Sequence, residues 1–168
     1  MSSNNKTRII IADAEEKFRY LLAEELSTED DFDVIGITGN GIEAFDMAKV
    51  LKGDVMIIDL LLFGCDGLSL MRKLAELPAK KRPAVIVVSA FLNERSAIEM
   101  ANLGVSYFLL KPCDMRTLIA RIRMVIGKPR QIWVIRESQQ QGADETLLIL
   151  NTATTPNGSP PTQTLPAR

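Results

Sequence analysis

Histidine is absent from all 168 residues. Its absence removes histidine-based catalytic triads, histidine-ligated zinc and any role as a phosphohistidine carrier. Carboxylates, hydroxyls and lysines must carry whatever acid–base or phosphoryl chemistry the chain performs. Cysteine is scarce. Cys65 and Cys113 lie far apart and fit no C-x-x-C or zinc spacing, so both are expected as reduced, partly buried thiols. A surplus of either charge is missing too: 20 basic against 21 acidic residues leave a formal net charge of −1. Bulk attraction to nucleic acid or anionic lipid is therefore not expected. No apolar run reaches the length of a membrane span, and the opening "MSSNNKTRIIIADAEE" holds three isoleucines followed at once by acids, too short for a signal segment. A cytoplasmic location is the expectation.

What is present is a regular alternation of strand and helix patterns. "RIIIA" ends at Asp13, and Phe18, Leu21, Leu22 and Leu26 then recur at helical spacing. "DVIGI" reads as a strand, and "NGIEAFDMAKVLK" as a helix opened by Asn40 and Gly41. "VMIID" is a near-continuous apolar run, the mark of a strand covered on both faces. Leu68, Met71, Leu74 and Ala75 indicate a third helix, and "PAVIVVS" a fourth strand. "NERSAIEMANLG" is a helix with a thin apolar stripe of Ala97, Ile98 and Ala101, stopped by Gly104; "YFLL" is a fifth strand, and Met115, Leu118, Ile119, Ile122 and Ile126 mark a last helix stopped by Gly127 and Pro129. Five strand–helix units with short connections predict an α/β domain over residues 7–127, its five-stranded parallel sheet doubly wound. Beyond it, residues 128–150 contain "IWVIRE" and "ETLLIL", a linker expected to form a hairpin or a docked stub with Trp133 as its anchor. Residues 151–168, rich in Pro and Thr, are expected to be disordered.

Ligands of such sheets sit outside the carboxyl ends of the strands. The residues just after four of the strands are Asp13, Asp59, Ser89 and Lys111. Taken singly each has an ordinary reading: a helix N-cap for either aspartate, a turn hydroxyl for Ser89, a solvated amine for Lys111. Together they are chemically complementary. Two carboxylates about 4 Å apart repel by roughly 4 kcal/mol at an effective dielectric of about 20. Such a pair either holds a proton on a carboxyl of raised pKa or binds a hard cation through oxygen. Mg2+ suits the second option, since it accepts one or two carboxylates, waters and a phosphate. Asp59 is then the nucleophile for a phosphoryl group, with Lys111 and the Ser89 hydroxyl steadying its oxygens. Lys111-Pro112 is a candidate cis peptide.

On these residues, and on Ser89-Ala90, Phe108 and Lys111-Pro112, the segment 7–127 resembles a response-regulator receiver domain of two-component signalling. The resemblance implies a (βα)5 flavodoxin/CheY-like fold with strand order 2-1-3-4-5. It implies Asp59 as phosphoacceptor, Asp13 as a member of the acidic pair, Lys111 as the paired lysine, and Ser89 and Phe108 as switch residues. It further implies Mg2+ as cofactor and a sensor histidine kinase or phosphotransfer protein as donor. A downstream protein would bind the face made by the helix from Asn93, the strand of Phe108 and the last helix. A receiver of this kind is a phosphoacceptor rather than an enzyme, at most catalysing its own phosphorylation and dephosphorylation. Within the family, "GNGIEAF", "GVSYFLLKPCDM" and Asp66-Gly67 look most like the receiver of a sporulation-initiation regulator, stage zero sporulation protein A.

Two departures stand against the pattern. The family's acidic pair is two adjacent acids, whereas here Asp13 is followed by Ala14, with Glu15 as the nearest carboxylate that could serve as a metal ligand. "LLFGCDG" also lacks the proline usual after the acceptor. A pseudo-receiver, a protein-binding module without phosphorylation, is therefore an alternative to the phosphorylatable single-domain regulator. A truncated DNA-binding regulator is another, because no multi-helix DNA-binding unit is visible after Gly127. Among weaker signals, Lys80 to Arg82 form a basic knot read as a solvated turn, and Arg116, Arg121, Arg123, Lys128 and Arg130 enrich the last helix and its exit in positive charge.

Overall fold

The computed structural model describes residues 6–126 and the backbone of residues 133–135. Ten elements alternate: β1 (Thr7–Ala12), α1 (Glu16–Ser27), β2 (Phe32–Thr38), α2 (Gly41–Leu51), β3 (Val55–Ile58), α3 (Gly67–Glu76), β4 (Ala84–Ser89), α4 (Glu94–Asn102), β5 (Tyr107–Leu110) and α5 (Met115–Val125). The strands pair in parallel in the expected order 2-1-3-4-5. A short edge strand, β6 (Trp133–Ile135), adds to the expected five by pairing in parallel with β5. It falls within the first of the two apolar pieces foreseen beyond the domain. The second piece, "ETLLIL", and the tail from residue 151 lie outside the described residues.

The apolar runs read as doubly covered strands because alternate side chains feed two cores. Ile9, Ile11, Val55 and Ile57 join Leu22 and Leu26 of α1 and Leu118 and Ile122 of α5. Ile10, Ala12, Met56 and Ile58 join Ala44 of α2, Leu70 and Met71 of α3 and Met100 of α4. Each such isoleucine, leucine or methionine contributes about 1.5–3 kcal/mol on burial, so the central strands are the most firmly held part of the domain. A polar residue at a strand end is therefore fixed to a rigid frame.

Two helical faces differ in phase from the sequence pattern. In α4 the buried stripe is Ala97, Met100 and Ala101, while Ile98 is exposed. In α1 Leu22, Ala23 and Leu26 are buried and Leu21 faces solvent. Four helices begin on a side-chain cap, with Asn40, Asp66, Asn93 and Asp114 each accepting an amide of the first turn. Neither Asp13 nor Asp59 has that task. Among the described residues no helix is long and apolar enough to cross a membrane, and neither cysteine forms a disulfide.

Candidate functional site

The parallel ladders run one rung past the strands, and that rung holds the site. The Asp13 N–H donates to Thr38 O at 2.9 Å, the Asp59 N–H to Ala12 O at 2.9 Å and the Lys111 N–H to Ser89 O at 3.0 Å. All four residues predicted from strand ends are thereby brought to one place, where the order of strands reverses between β1 and β3. Asp13, Asp59 and Ser89 are buried. The Lys111 ammonium donates to Asp13 Oδ2 at 2.6 Å and to Asp59 Oδ2 at 3.0 Å, while the Ser89 hydroxyl donates to Asp59 Oδ1 at 2.6 Å. The Leu61 N–H also reaches Asp59 Oδ1, at 3.3 Å. The Lys111–Pro112 bond is cis.

One ammonium thus bridges the two acids. Burial pushes the Asp13 carboxyl above its usual range, against the pull of Lys111 and of the Glu15 N–H at Oδ1, and the neighbouring Asp59 charge adds to the rise. For Lys111, burial works to lower the pKa, but the hydrogen bonds and charges of Asp13 and Asp59 outweigh it, so the ammonium is held charged. Its Nζ also lies 4.2 Å from the Phe18 ring centroid, a cation–π contact on the side of α1.

Residues that the sequence pattern did not single out hold the two loops around the acids. Arg19 Nη1 donates to the carbonyls of Asp13 and Ala14. The acceptor loop is fastened to the start of α2, where the Phe63 N–H donates to Gly39 O and the Gly41 N–H to Phe63 O. Gly67 permits a close approach behind Asp59. Its N–H donates to Leu60 O at 2.9 Å, and a Cβ at this position would lie 2.4 Å from the Asp59 carbonyl oxygen. The pair Asp66-Gly67 stood out in the sequence only through the resemblance, and the backbone contact behind Asp59 was not legible.

Phe108 is fully buried in the second core, on the strand beside β4 and opposite Val87. Glu15 does not join the aspartates. Its side chain is 63% exposed, and its carboxylate approaches Lys111 at 3.8 Å. It is the residue at the N-cap of α1, where the start of the helix directs it. No group of three acidic, cysteine or histidine side chains fit for a metal occurs among the described residues. The donor set is nevertheless all oxygen, with two carboxylates converging at a strand-end rim. That chemistry fits a hard divalent cation with one anionic ligand fewer than three.

A family model described as the response regulator receiver domain matches residues 9–123. The chain belongs to that family. Among solved structures the receiver resembles a DNA-binding response regulator of the LuxR family from Staphylococcus aureus, at 26% identity over 71% of this chain and 98% of that one, with TM-score 0.64. The response regulator domain of CheB from Thermotoga maritima matches at 24% identity over 74% of this chain and 98% of that one, with TM-score 0.67. A CheX–CheY complex with BeF3− and Mg2+ from Borrelia burgdorferi matches at 24% identity, covering 72% and 90% of the two chains, with TM-score 0.64. The last two establish the fold alone. Receiver membership places the chain in two-component phosphorelay signalling, with a kinase or phosphotransfer protein as its upstream partner.

Proposed function

We propose that this receiver is a cytoplasmic phosphoacceptor that takes a phosphoryl group on Asp59 from a sensor histidine kinase or phosphotransfer protein. An Asp59 oxygen attacks phosphorus, a new O–P bond forms, and the donor's N–P bond breaks with its electron pair returning to the imidazole. The observation that carries this reading is the placement of donors on both Asp59 oxygens, Ser89 on one and Lys111 on the other. After transfer these same donors are positioned to serve phosphoryl oxygens, where charge develops. Asp13 and Asp59 would hold Mg2+, which supplies charge neutralisation to the incoming phosphoryl group. Arg19 and the Glu15 N–H fix Asp13, and Gly67 lets the backbone close behind Asp59. The chain is an acceptor rather than an enzyme turning over a separate substrate. Redirection of Ser89 and Lys111 toward a phosphoryl group would then alter β4 and β5, and through Phe108 the face of α4, β5 and α5 that a downstream protein would bind. The likeness of "GNGIEAF" and "GVSYFLLKPCDM" to a sporulation regulator supports a phosphorelay that controls sporulation as its setting.

Incubation with Mg2+ and a small acyl phosphate should add the mass of one phosphoryl group, and Asp59→Asn should abolish the gain. Absence of any gain at every Mg2+ concentration would overturn the reading. A second reading, a pseudo-receiver that binds partners without phosphorylation, is favoured by Ala14 and by the outward Glu15. It predicts that Asp59→Asn leaves partner binding unchanged.

A further inference from the structure

A cleft of about 620 Å³ opens between the end of α2, the starts of β3 and β4, and the end of α5. This is the amino end of the sheet, opposite Asp59. Eleven described residues line it, and five are cations: Lys49, Lys52, Lys80, Lys81 and Arg82. The sequence places these on two segments about thirty residues apart; only folding sets them across one opening. Lys52 stands in a left-handed conformation, φ 51°, at the end of α2, and Lys80 and Lys81 close the short 3₁₀ turn Ala79–Lys81.

Their partners decide what the cluster means. Lys49 pairs with Asp46, and Arg82 Nε donates to Leu77 O. Lys52, Lys80 and Lys81 have no acidic partner among the described residues. Asp54 is the one lining acid, and its carboxylate accepts the Arg8 N–H at 2.8 Å. Five of the chain's 20 basic residues thus meet in one concavity of a protein whose net charge is −1. Part of this charge has a local use, since Lys49 and Lys52 complement the carboxyl end of the α2 dipole. That account does not reach Lys80 and Lys81, which belong to a separate turn. The rest of the lining includes Ala48, Ala84, Val125 and Ile126, an apolar surface beside the charges.

We infer that this cleft is a binding site for a nucleotide carrying two or more phosphates. The phosphates would lie among Lys52, Lys80, Lys81 and Arg82, and the base against the apolar side chains. The volume lies in the range of small-ligand sites, about 300–1,000 Å³, and lysines serve phosphate as mobile point charges. The site is independent of phosphoryl chemistry at Asp59.

The test is an amide chemical-shift titration of the full chain, without Mg2+, using ATP, GTP, tripolyphosphate and a single-stranded oligonucleotide as probes. ATP or GTP should produce saturable shifts at Lys52, Gly53 and Lys81 to Ala84, with half-saturation below about 1 mM at low salt. Tripolyphosphate should bind more weakly than the nucleotide. Lys80→Gln/Lys81→Gln on one wall, and Lys52→Gln on the other, should each weaken binding by about tenfold, as expected when phosphate-facing charge is lost. All three positions are exposed, so the variants keep the fold, which unchanged shifts around Asp59 would verify. The inference fails if no probe saturates, if both variants bind as the parent does, if tripolyphosphate matches the nucleotides, or if the oligonucleotide binds best.

Discussion

The two ends of the sheet handle charge in opposite ways. At the carboxyl end, two acids and a lysine are buried and hold one another, every charged oxygen meeting a donor. At the amino end, five cations share an open cleft, three of them without an acidic partner among the described residues. Buried charge survives only when paired, so the first arrangement is costly to disturb. Exposed charge needs no partner and is cheap to change. The same residue type, lysine, is therefore an internal fixture at position 111 and an exposed charge without an acidic partner among the described residues at positions 80 and 81.

Backbone tightness offers the sharpest way to break this comparison. Gly67→Ala should destabilise the domain by about 3 kcal/mol in urea melts, because its Cβ would meet the Asp59 carbonyl at 2.4 Å and Leu60 Cα at 2.8 Å. Backbone must shift, and Asp59 with it, so phosphoryl uptake should fall in parallel. Gly53→Ala, which lines the cleft at the other end, is the control. There the added Cβ meets chiefly the Ile10 Cδ1 at 2.9 Å, the tip of a side chain that can rotate, and the cost should stay within about 1 kcal/mol. Equal losses at the two glycines would show that the acceptor end is no more tightly built than its opposite.

How much of this was legible in the sequence follows the same division. Asp13, Asp59, Ser89 and Lys111 could be found because a parallel strand ends in a fixed place, and the next residue inherits that place. The order of the sheet followed with the resemblance. What could not be read depends on the meeting of segments. The approach of Gly67 to Asp59, the clasp between Phe63 and Gly41, and the facing of Lys80 and Lys81 by Lys52 are all set by tertiary packing. The outward direction of Glu15 was not legible either, because it depends on how α1 starts. The α4 stripe was misphased at Ile98 because alanines at positions 97 and 101 fit either neighbour, and only packing against α3 selects Met100. "IWVI" announced an apolar piece, but the β5 edge it would pair with was not visible in its own residues.

A smaller effect distinguishes function from stability within the acceptor site. Burial raises the Asp13 pKa in the fold above the ordinary 3.8. The folded state therefore takes up its proton first as pH falls, and this group's contribution to stability grows on acidification and is complete below the unfolded value. Asp13→Asn removes the penalty. It also takes away one of the two charges that hold Lys111, so the effect is read from the pH trend: the variant's stability relative to the parent should be higher at pH 7 than at pH 4.5, while phosphoryl uptake declines. Urea melts at pH 7 and pH 4.5 measure it. A trend of the opposite sign would mean that the bond to Lys111 outweighs burial.

The smallest effect is expected at the amino end. Lys80→Gln/Lys81→Gln removes two neighbouring positive charges from an exposed turn whose lysines have no acidic partner among the described residues. Relief of their mutual repulsion, and of repulsion from Lys52, should raise stability by a few tenths of a kcal/mol, roughly the scale of exposed charge pairs. The gain should fade between about 0.01 M and 1 M salt, as the Debye length drops from about 30 Å to about 3 Å. Thermal melts across that series are the measurement. A gain that persists at high salt would have to come from the chain conformation of the turn. A loss would show that the lysines already have partners, and that the cleft is occupied by the protein itself rather than open to an anion.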